Sequence, residues 1–264
     1  MTSPFARTVR GSGPGLALAH GAGGGVAPNY GAILDGLAEH RTVVGVDYPG
    51  TGDTPRSGRP LELDELADQL VAAAVDEGLG TFAVAGYSLG GAVAVRAAVR
   101  HPERVTSLVL TAAFARPDNH MRLTLNTWAT LLEHEDRGRL ADFLLPTALS
   151  PAALEALSEE ELRGALAGTA ATVPPGTPEH VDLVGRVDVR GDLAGISVPT
   201  LVVVTTADRL VPPGAQRRLA AGIPGARVAE LDTGHLPFAE RPEEWRKLIA
   251  DFLATADGPA GRTE

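Results

Sequence analysis

The segment Gly86-Tyr87-Ser88-Leu89-Gly90 sets a serine between two glycines, where an apolar, β-branched run (Thr81 to Ala85) gives way to an alanine-rich run with helical spacing (Leu89 to about Arg100). A strand that turns into a helix this sharply leaves no room for side chains two residues either side of the turn. Glycine fits there, and the middle hydroxyl is left standing clear of the backbone. A chain seldom keeps so strained a turn without a use for it.

The same alternation runs through most of the chain. Gly15 to Ala19, Thr42 to Val46, Thr81 to Ala85, Val105 to Leu110, Thr200 to Thr205 and Arg227 to Leu231 read as strands, mostly continuous apolar runs of the kind buried on both faces. Between them, Leu63, Leu66, Leu70 and Ala74 share one helical face, and Trp245, Leu248, Ile249 and Phe252 repeat that spacing after Pro242, a residue suited to a helix start. Strand and helix in alternation predict an α/β fold, a mostly parallel, doubly wound sheet covered on both faces. From about Phe114 to Gly195 the rhythm breaks. No strand pattern appears, and helical stretches such as Met121 to Glu133 and Ser158 to Ala171 are separated by Pro and Gly, with Thr172 to Pro178 read as a loop. The organisation predicted is a core domain over 1–113 and 195–256, a helical cap insertion over 114–194, and a frayed end from Ala254 on, with 257–264 a flexible tail. A length of 264 residues with 44% hydrophobic content suffices for the core of one α/β domain.

Composition narrows the chemistry. With no cysteine, disulfides, thiolate metal sites and a cysteine nucleophile are all excluded, and covalent catalysis falls to serine, threonine or a carboxylate. A net charge of -10, with scattered arginines and Lys247 as the single lysine, argues against a nucleic-acid partner. No leader pattern and no apolar stretch of bilayer length appear, which points to a soluble, cytoplasmic protein without a membrane partner. No histidine spacing suits a metal, and no feature fixes an oligomeric state.

A serine hydroxyl needs a base to take its proton, and the elbow therefore predicts an acid and a histidine later in the chain. Asp208 follows the run Thr200 to Thr205, and His235 follows Arg227 to Leu231. Strand ends on one side of a parallel sheet converge, so the roles assigned are Ser88 as nucleophile, His235 as base and then acid, and Asp208 as the group that fixes the imidazole tautomer. Asp118 and Asp232 are rival acids. The backbone N–H of Leu89, at the helix start, is one candidate oxyanion donor. The second is sought in His20-Gly21-Ala22-Gly23-Gly24-Gly25, where the Ala22 N–H is favoured and Gly23 is the alternative. Gly23, Tyr87 and Trp128 are candidate substrate contacts.

Other polar residues receive plainer readings. His20 braces the early loop, His101 ends a helix, and His40, His120, His134 and His180 read as surface or cap residues. Met121, Leu125, Trp128 and Leu132 form a stripe that packs the cap onto the core, with its end nearest Ser88 available to line an acyl pocket. A dinucleotide-binding turn is the rival reading of the glycine-rich loop, with Asp47 on a ribose. There the third glycine is replaced by Val26, and Pro28 is expected to spoil the helix start. Asp47 is read instead as a structural turn residue.

The sequence resembles the α/β-hydrolase superfamily in His20-Gly21, in Asp47-Tyr48-Pro49-Gly50-Thr51-Gly52-Asp53-Thr54, in Gly86-Tyr87-Ser88-Leu89-Gly90-Gly91, in His101-Pro102-Glu103-Arg104-Val105, in Pro199-Thr200-Leu201 and in Gly234-His235. The resemblance implies the α/β-hydrolase fold with a helical cap inserted after the sixth strand, a catalytic triad, no cofactor and a small-molecule substrate. Ser88 stands where epoxide hydrolases and haloalkane dehalogenases carry aspartate, which sets the chain apart from those branches. The function implied is hydrolysis of an ester or thioester of a small to medium organic acid through an acyl-enzyme on Ser88. Three other outcomes use the same constellation: a carbon–carbon bond hydrolase or lyase, an acyl-transferring cyclase, and a ligand-sensing receptor that retains the pocket.

Overall fold

The computed structural model describes residues 3–257. Seven strands, β1 (Arg7–Arg10), β2 (Gly15–Ala19), β3 (Thr42–Val46), β4 (Phe82–Tyr87), β5 (Val105–Thr111), β6 (Thr200–Thr205) and β7 (Arg227–Leu231), form one sheet in the order β1-β3-β2-β4-β5-β6-β7. β1 runs antiparallel to β3, and every other pairing is parallel. Every residue of β2, β4 and β6 is buried, as strands with helices on both faces must be.

The helices are α1 (Val26–Ala38), α2 (Leu63–Asp76), α3 (Leu89–Arg100), α4 (Asn119–Glu133), α5 (Arg137–Ala148), α6 (Pro151–Glu155), α7 (Glu159–Ala171), α8 (Thr177–Arg186), α9 (Pro213–Gly222), α10 (Pro237–Glu240) and α11 (Pro242–Ala256). Strand side chains alternate between two apolar layers. Ala17, Val44, Val84 and Val202 pack with α2, α3 and α9. Leu16, Leu18, Val43 and Val203 pack with α1 and α11 on the opposite face. In α2 the predicted stripe of Leu63, Leu66, Leu70 and Ala74 is buried throughout, and in α11 Trp245, Ile249 and Phe252 are buried, with the Trp245 indole N–H donating to Thr111 Oγ1 at 2.9 Å.

Several local expectations are corrected. β4 begins one residue later than predicted and runs on to Tyr87, directly into the elbow. β1 was not predicted; it is an edge strand, Arg-Thr-Val-Arg, with no apolar run to announce it. The helices α4 to α8 follow the fifth strand of seven, not the sixth, because the described chain ahead of β2 supplies only β1. The predicted loop to Pro178 ends earlier: α8 begins at Thr177, and Pro178 lies in its first turn, where its missing N–H costs nothing. For the same reason Pro28 does not spoil α1. The chain end is helical to Ala256, and the rest of the predicted tail, 258–264, lies outside the described residues. Among the described residues no helix is long and apolar enough to cross a membrane.

Candidate active site

Ser88 sits between β4 and α3 with φ 54° and ψ -119°, a left-handed conformation that costs a residue with a Cβ and that the surrounding structure must impose. Main-chain bonds impose it from both sides: the Ser88 N–H donates to Thr111 O at 3.0 Å, and the Gly91 N–H donates to Ser88 O at 2.9 Å. A Cβ on Gly86 would strike the Gly90 carbonyl, and one on Gly90 would strike the Ala19 carbonyl. The two glycines are therefore steric requirements of the turn.

The structure brings Ser88, His235 and Asp208 together. His235 Nε2 lies 3.0 Å from Ser88 Oγ, and its Nδ1 lies 2.7 Å from Asp208 Oδ2. All three residues are buried. Since a carboxylate accepts, Nδ1 carries the proton and donates, which leaves Nε2 as the acceptor facing the serine hydroxyl. Asp208 is held by four further donors: the N–H groups of Leu210 (2.9 Å) and Val211 (2.8 Å) on Oδ1, and Thr205 Oγ1 (2.9 Å) and Gln216 Nε2 (3.2 Å) on Oδ2. Gln216 was not picked out from the sequence. It is fully buried on α9 beside Ala215, Leu219 and Ala220, and a polar residue on an apolar helical face is the signal that marks it. Tyr87 lines the cavity beside Ser88; its hydroxyl donates to His235 O at 2.8 Å, and its ring lies 5.2 Å from the imidazole.

The rival acids stand elsewhere. Asp118 caps α4 by accepting from the Met121 N–H and pairs with Arg218 at 2.9 Å. Asp232 is exposed and accepts from Thr206 Oγ1. Asp47 accepts the Val26 N–H at 2.8 Å and so satisfies the start of α1, a structural role in keeping with its turn.

In the glycine-rich loop most amides are committed. The Gly21 N–H donates to Asn29 Oδ1 (3.0 Å), the Gly23 N–H to His180 Nδ1 (3.1 Å) and the Gly24 N–H to Gly21 O (3.3 Å). Among the described residues the N–H groups of Ala22 and Gly25 have no such partner, and a Cβ on Gly21, next to Ala22, would stand 3.2 Å from the Ser88 Cβ, so the loop abuts the elbow. The Leu89 N–H, first in α3, has no acceptor within its helix.

Two further histidines lie behind this loop. His20 is fully buried; its Nδ1 donates to Gly21 O (2.8 Å), and its Nε2 accepts from the Tyr48 N–H (3.0 Å). Burial pushes its pKa down to about 3, with His180 adding to the shift. Of the two readings the sequence offered for His180, surface or cap, the surface one is excluded. His180 is fully buried on α8 beside Val181 and Val184, and burial lowers its pKa to about 4.

Ser88 and His235 open onto a cavity of about 350 Å³ whose walls include Phe114, Met121, Leu125, Trp128, Leu145 and Phe238. The stripe on α4 thus has two roles, since Met121, Leu125 and Trp128 are packed into the core cluster and also face the cavity. Among the described residues no Asp, Glu, Lys or Arg lines it. Among the described residues no group of three or more His, Asp or Glu side chains is placed to hold a metal ion.

Comparison with known proteins agrees with this architecture. The chain is 34% identical to pyrrolizixenacetamide deacetylase of Xenorhabdus hominickii, with 95% of each chain covered. It is 32% identical to the pimeloyl-[acyl-carrier protein] methyl ester esterase of Aromatoleum aromaticum, covering 91% of this chain and 98% of that protein. A hydrolase structure from Pseudomonas aeruginosa superposes with a TM-score of 0.83 at 27% identity, covering 94% of both chains. Residues 16–242 match the family model for the alpha/beta hydrolase fold, and the chain is accordingly an enzyme of the α/β-hydrolase superfamily.

Proposed function

We propose that this enzyme is a serine hydrolase that cleaves a neutral ester or thioester of a small to medium organic acid through an acyl-enzyme on Ser88. The observation that carries the reading is the continuous hydrogen-bonded line from Ser88 Oγ through His235 to Asp208 at the floor of an uncharged cavity. Ser88 Oγ attacks the carbonyl carbon as His235 Nε2 takes its proton, and Asp208 stabilises the imidazolium that forms. The negative charge that develops on the carbonyl oxygen is met by the Ala22 and Leu89 N–H groups, already in place and requiring no reorganisation. His235 returns the proton to the leaving group, and the C–O or C–S bond breaks. Water then repeats the sequence on the acyl-enzyme, with the proton passing through His235 again.

The absence of charge around the cavity supports a neutral acyl group, because an ionised group buried there without a partner would be strongly disfavoured. The relatives' names, a deacetylase and a methyl ester esterase, support acyl cleavage and extend the candidate bonds to amides. In this reading α4 to α8 form the cap, and Trp128 and Gly23 contact the substrate.

The test is intact mass after exposure to a small fluorophosphonate, with the adduct mapped by peptide sequencing. Rapid single labelling at Ser88, lost in His235→Ala, is the expected result. An unlabelled protein that still binds small neutral ligands would end the acyl-enzyme reading and favour lyase chemistry or a sensor.

A further inference from the structure

His180 belongs to neither the catalytic line nor the cavity wall, yet it is the one side chain of α8 that reaches the glycine-rich loop through a hydrogen bond. Both of its ring nitrogens are engaged. Nδ1 accepts the Gly23 N–H at 3.1 Å, so the ring proton resides on Nε2, which donates to Pro49 O at 3.1 Å. A neutral imidazole protonated at Nε2 satisfies both partners; neither the Nδ1–H tautomer nor the doubly protonated ring does. The ring is lodged 5.9 Å from that of Tyr48 and 6.1 Å from that of His20, in a fully buried seat.

The loop it touches has little stiffness of its own. Gly21, Gly23, Gly24 and Gly25 surround Ala22, and Gly23 adopts φ +65°. Left alone, such a segment would present its amides in many directions. Asn29 fixes the Gly21 amide on one side of Ala22, and His180 fixes the Gly23 amide on the other.

We infer that His180 is a positioning residue for the oxyanion site: by accepting the Gly23 N–H it fixes one neighbour of Ala22 as Asn29 fixes the other, and so aims the uncommitted Ala22 N–H between them. The inference rests on the acyl-enzyme reading above. It also makes the oxyanion site depend on how α8 is seated. That seat is secured by the Gly176 N–H on Gly50 O (3.0 Å) and by Arg56 on Glu179 (2.9 Å), and Val184, one turn beyond His180, lines the cavity. A ligand that presses on Val184 therefore bears on the helix that aims the oxyanion donor.

Three variants, His180→Ala, His180→Asn and His180→Gln, separate aiming from mere packing. Asn keeps an acceptor at the Nδ1 position and so serves Gly23; Gln keeps a donor at the Nε2 position and so serves Pro49. The readouts are kcat and KM for p-nitrophenyl butyrate, the inhibition constant of an alkyl trifluoromethyl ketone, whose adduct on Ser88 carries an oxyanion, and the melting temperature. Removing a whole oxyanion donor costs about 10²–10³ in kcat, so loss of its positioner should cost about 10–100-fold. The expected result is that kcat falls by that factor in Ala and Gln with KM within about threefold, that the trifluoromethyl ketone weakens in proportion to kcat/KM, and that Asn recovers most of both. Equal behaviour of Asn and Gln, or losses that follow the melting temperature or KM instead of kcat, would assign His180 to packing and overturn the inference. A wild-type enzyme that hydrolyses the ester while His180→Ala matches it sinks this inference alone. A wild type that neither hydrolyses nor labels at Ser88 removes the acyl-enzyme reading and this inference with it.

Discussion

The floor and the roof of the cavity are held in different ways. On the floor, Ser88, Asp208 and His235 hang from the ends of β4, β6 and β7, strands locked by main-chain ladders with every residue of β4 and β6 buried. The roof, α4 to α8, has no ladder at all, and α6 and α7 bury none of their side chains. It packs α4 and α8 onto the apolar core, and several of its bonds to the floor fall on loops beside the site: His180 on Gly23, the Ala148 carbonyl on the His235 N–H at 2.6 Å, and Glu240 Oε1, which accepts from both the Ser150 and the Gly234 N–H groups. The proposed reactive geometry is thus specified by the sheet, whereas the roof walls the cavity and reaches the adjoining loops through individual hydrogen bonds. Substitutions in the floor should abolish chemistry, and substitutions in the roof should tune it.

The sharpest way to break that contrast is at the proposed nucleophile. Ser88→Ala and His235→Ala should each lower kcat by about 10⁴-fold or more with the fold intact, and the double variant should lose little beyond either single one, because the groups act as a unit. Additive losses in steady-state hydrolysis of a p-nitrophenyl ester would show that the two residues do not share one proton path.

Next in size is the proposed acid. Asp208→Asn should cost about 10³–10⁴-fold in kcat, because an amide in place of Oδ2 no longer fixes Nδ1–H, the tautomer that leaves Nε2 free. Asp118→Asn, which alters only an α4 cap and a surface pair with Arg218, should change kcat by less than about threefold and stability by no more than about 1 kcal/mol. Kinetics of the two variants on one substrate decide it, and the reverse order would move the acid to Asp118.

The same division governs what could be read from the sequence. Buried strands such as Gly15–Ala19 and Thr200–Thr205 announce themselves as apolar runs, and the elbow is legible because its glycines answer a local steric demand. Ser88, Asp208 and His235 come together because strand ends on one side of a parallel sheet meet, which chain order alone implies. β1 escaped because an edge strand needs no apolar run. His180 and Gln216 escaped for another reason: each acts through a partner more than ten residues away or on another element, Gly23 and Thr205 among them, and nothing local marks such a partner. A polar residue on an apolar helical face says that a bond exists but not with what. Within 114–194 the stretches Met121 to Glu133 and Ser158 to Ala171 were readable as helices, while the seating of α4 to α8 on the floor depends on tertiary contacts that periodicity does not encode.

The smallest effect distinguishes the two regions through pH. His20, in the floor, and His180, in the roof, are both held neutral by burial, with pKa values lowered from 6.5 to about 3 and about 4. A histidine whose folded pKa is depressed binds a proton more readily in the unfolded chain, so stability falls as pH drops below about 6.5 and stops falling through that group only near its folded pKa. Each contributes at most about 3–5 kcal/mol over its whole window, at about 1.4 kcal/mol per pH unit for one proton. Urea unfolding of the wild type between pH 7.5 and 5 should therefore lose stability on the acid side. His180→Asn, which keeps the Gly23 contact but has no proton to gain, should lose less, by up to that one-proton slope between about pH 6 and 5. Because the carboxylates and His20 titrate in both proteins, the difference between the two curves isolates the roof histidine. Parallel curves would mean that His180 already takes up its proton in the folded state at mild pH, and that its bond to Gly23 is weaker than the geometry implies.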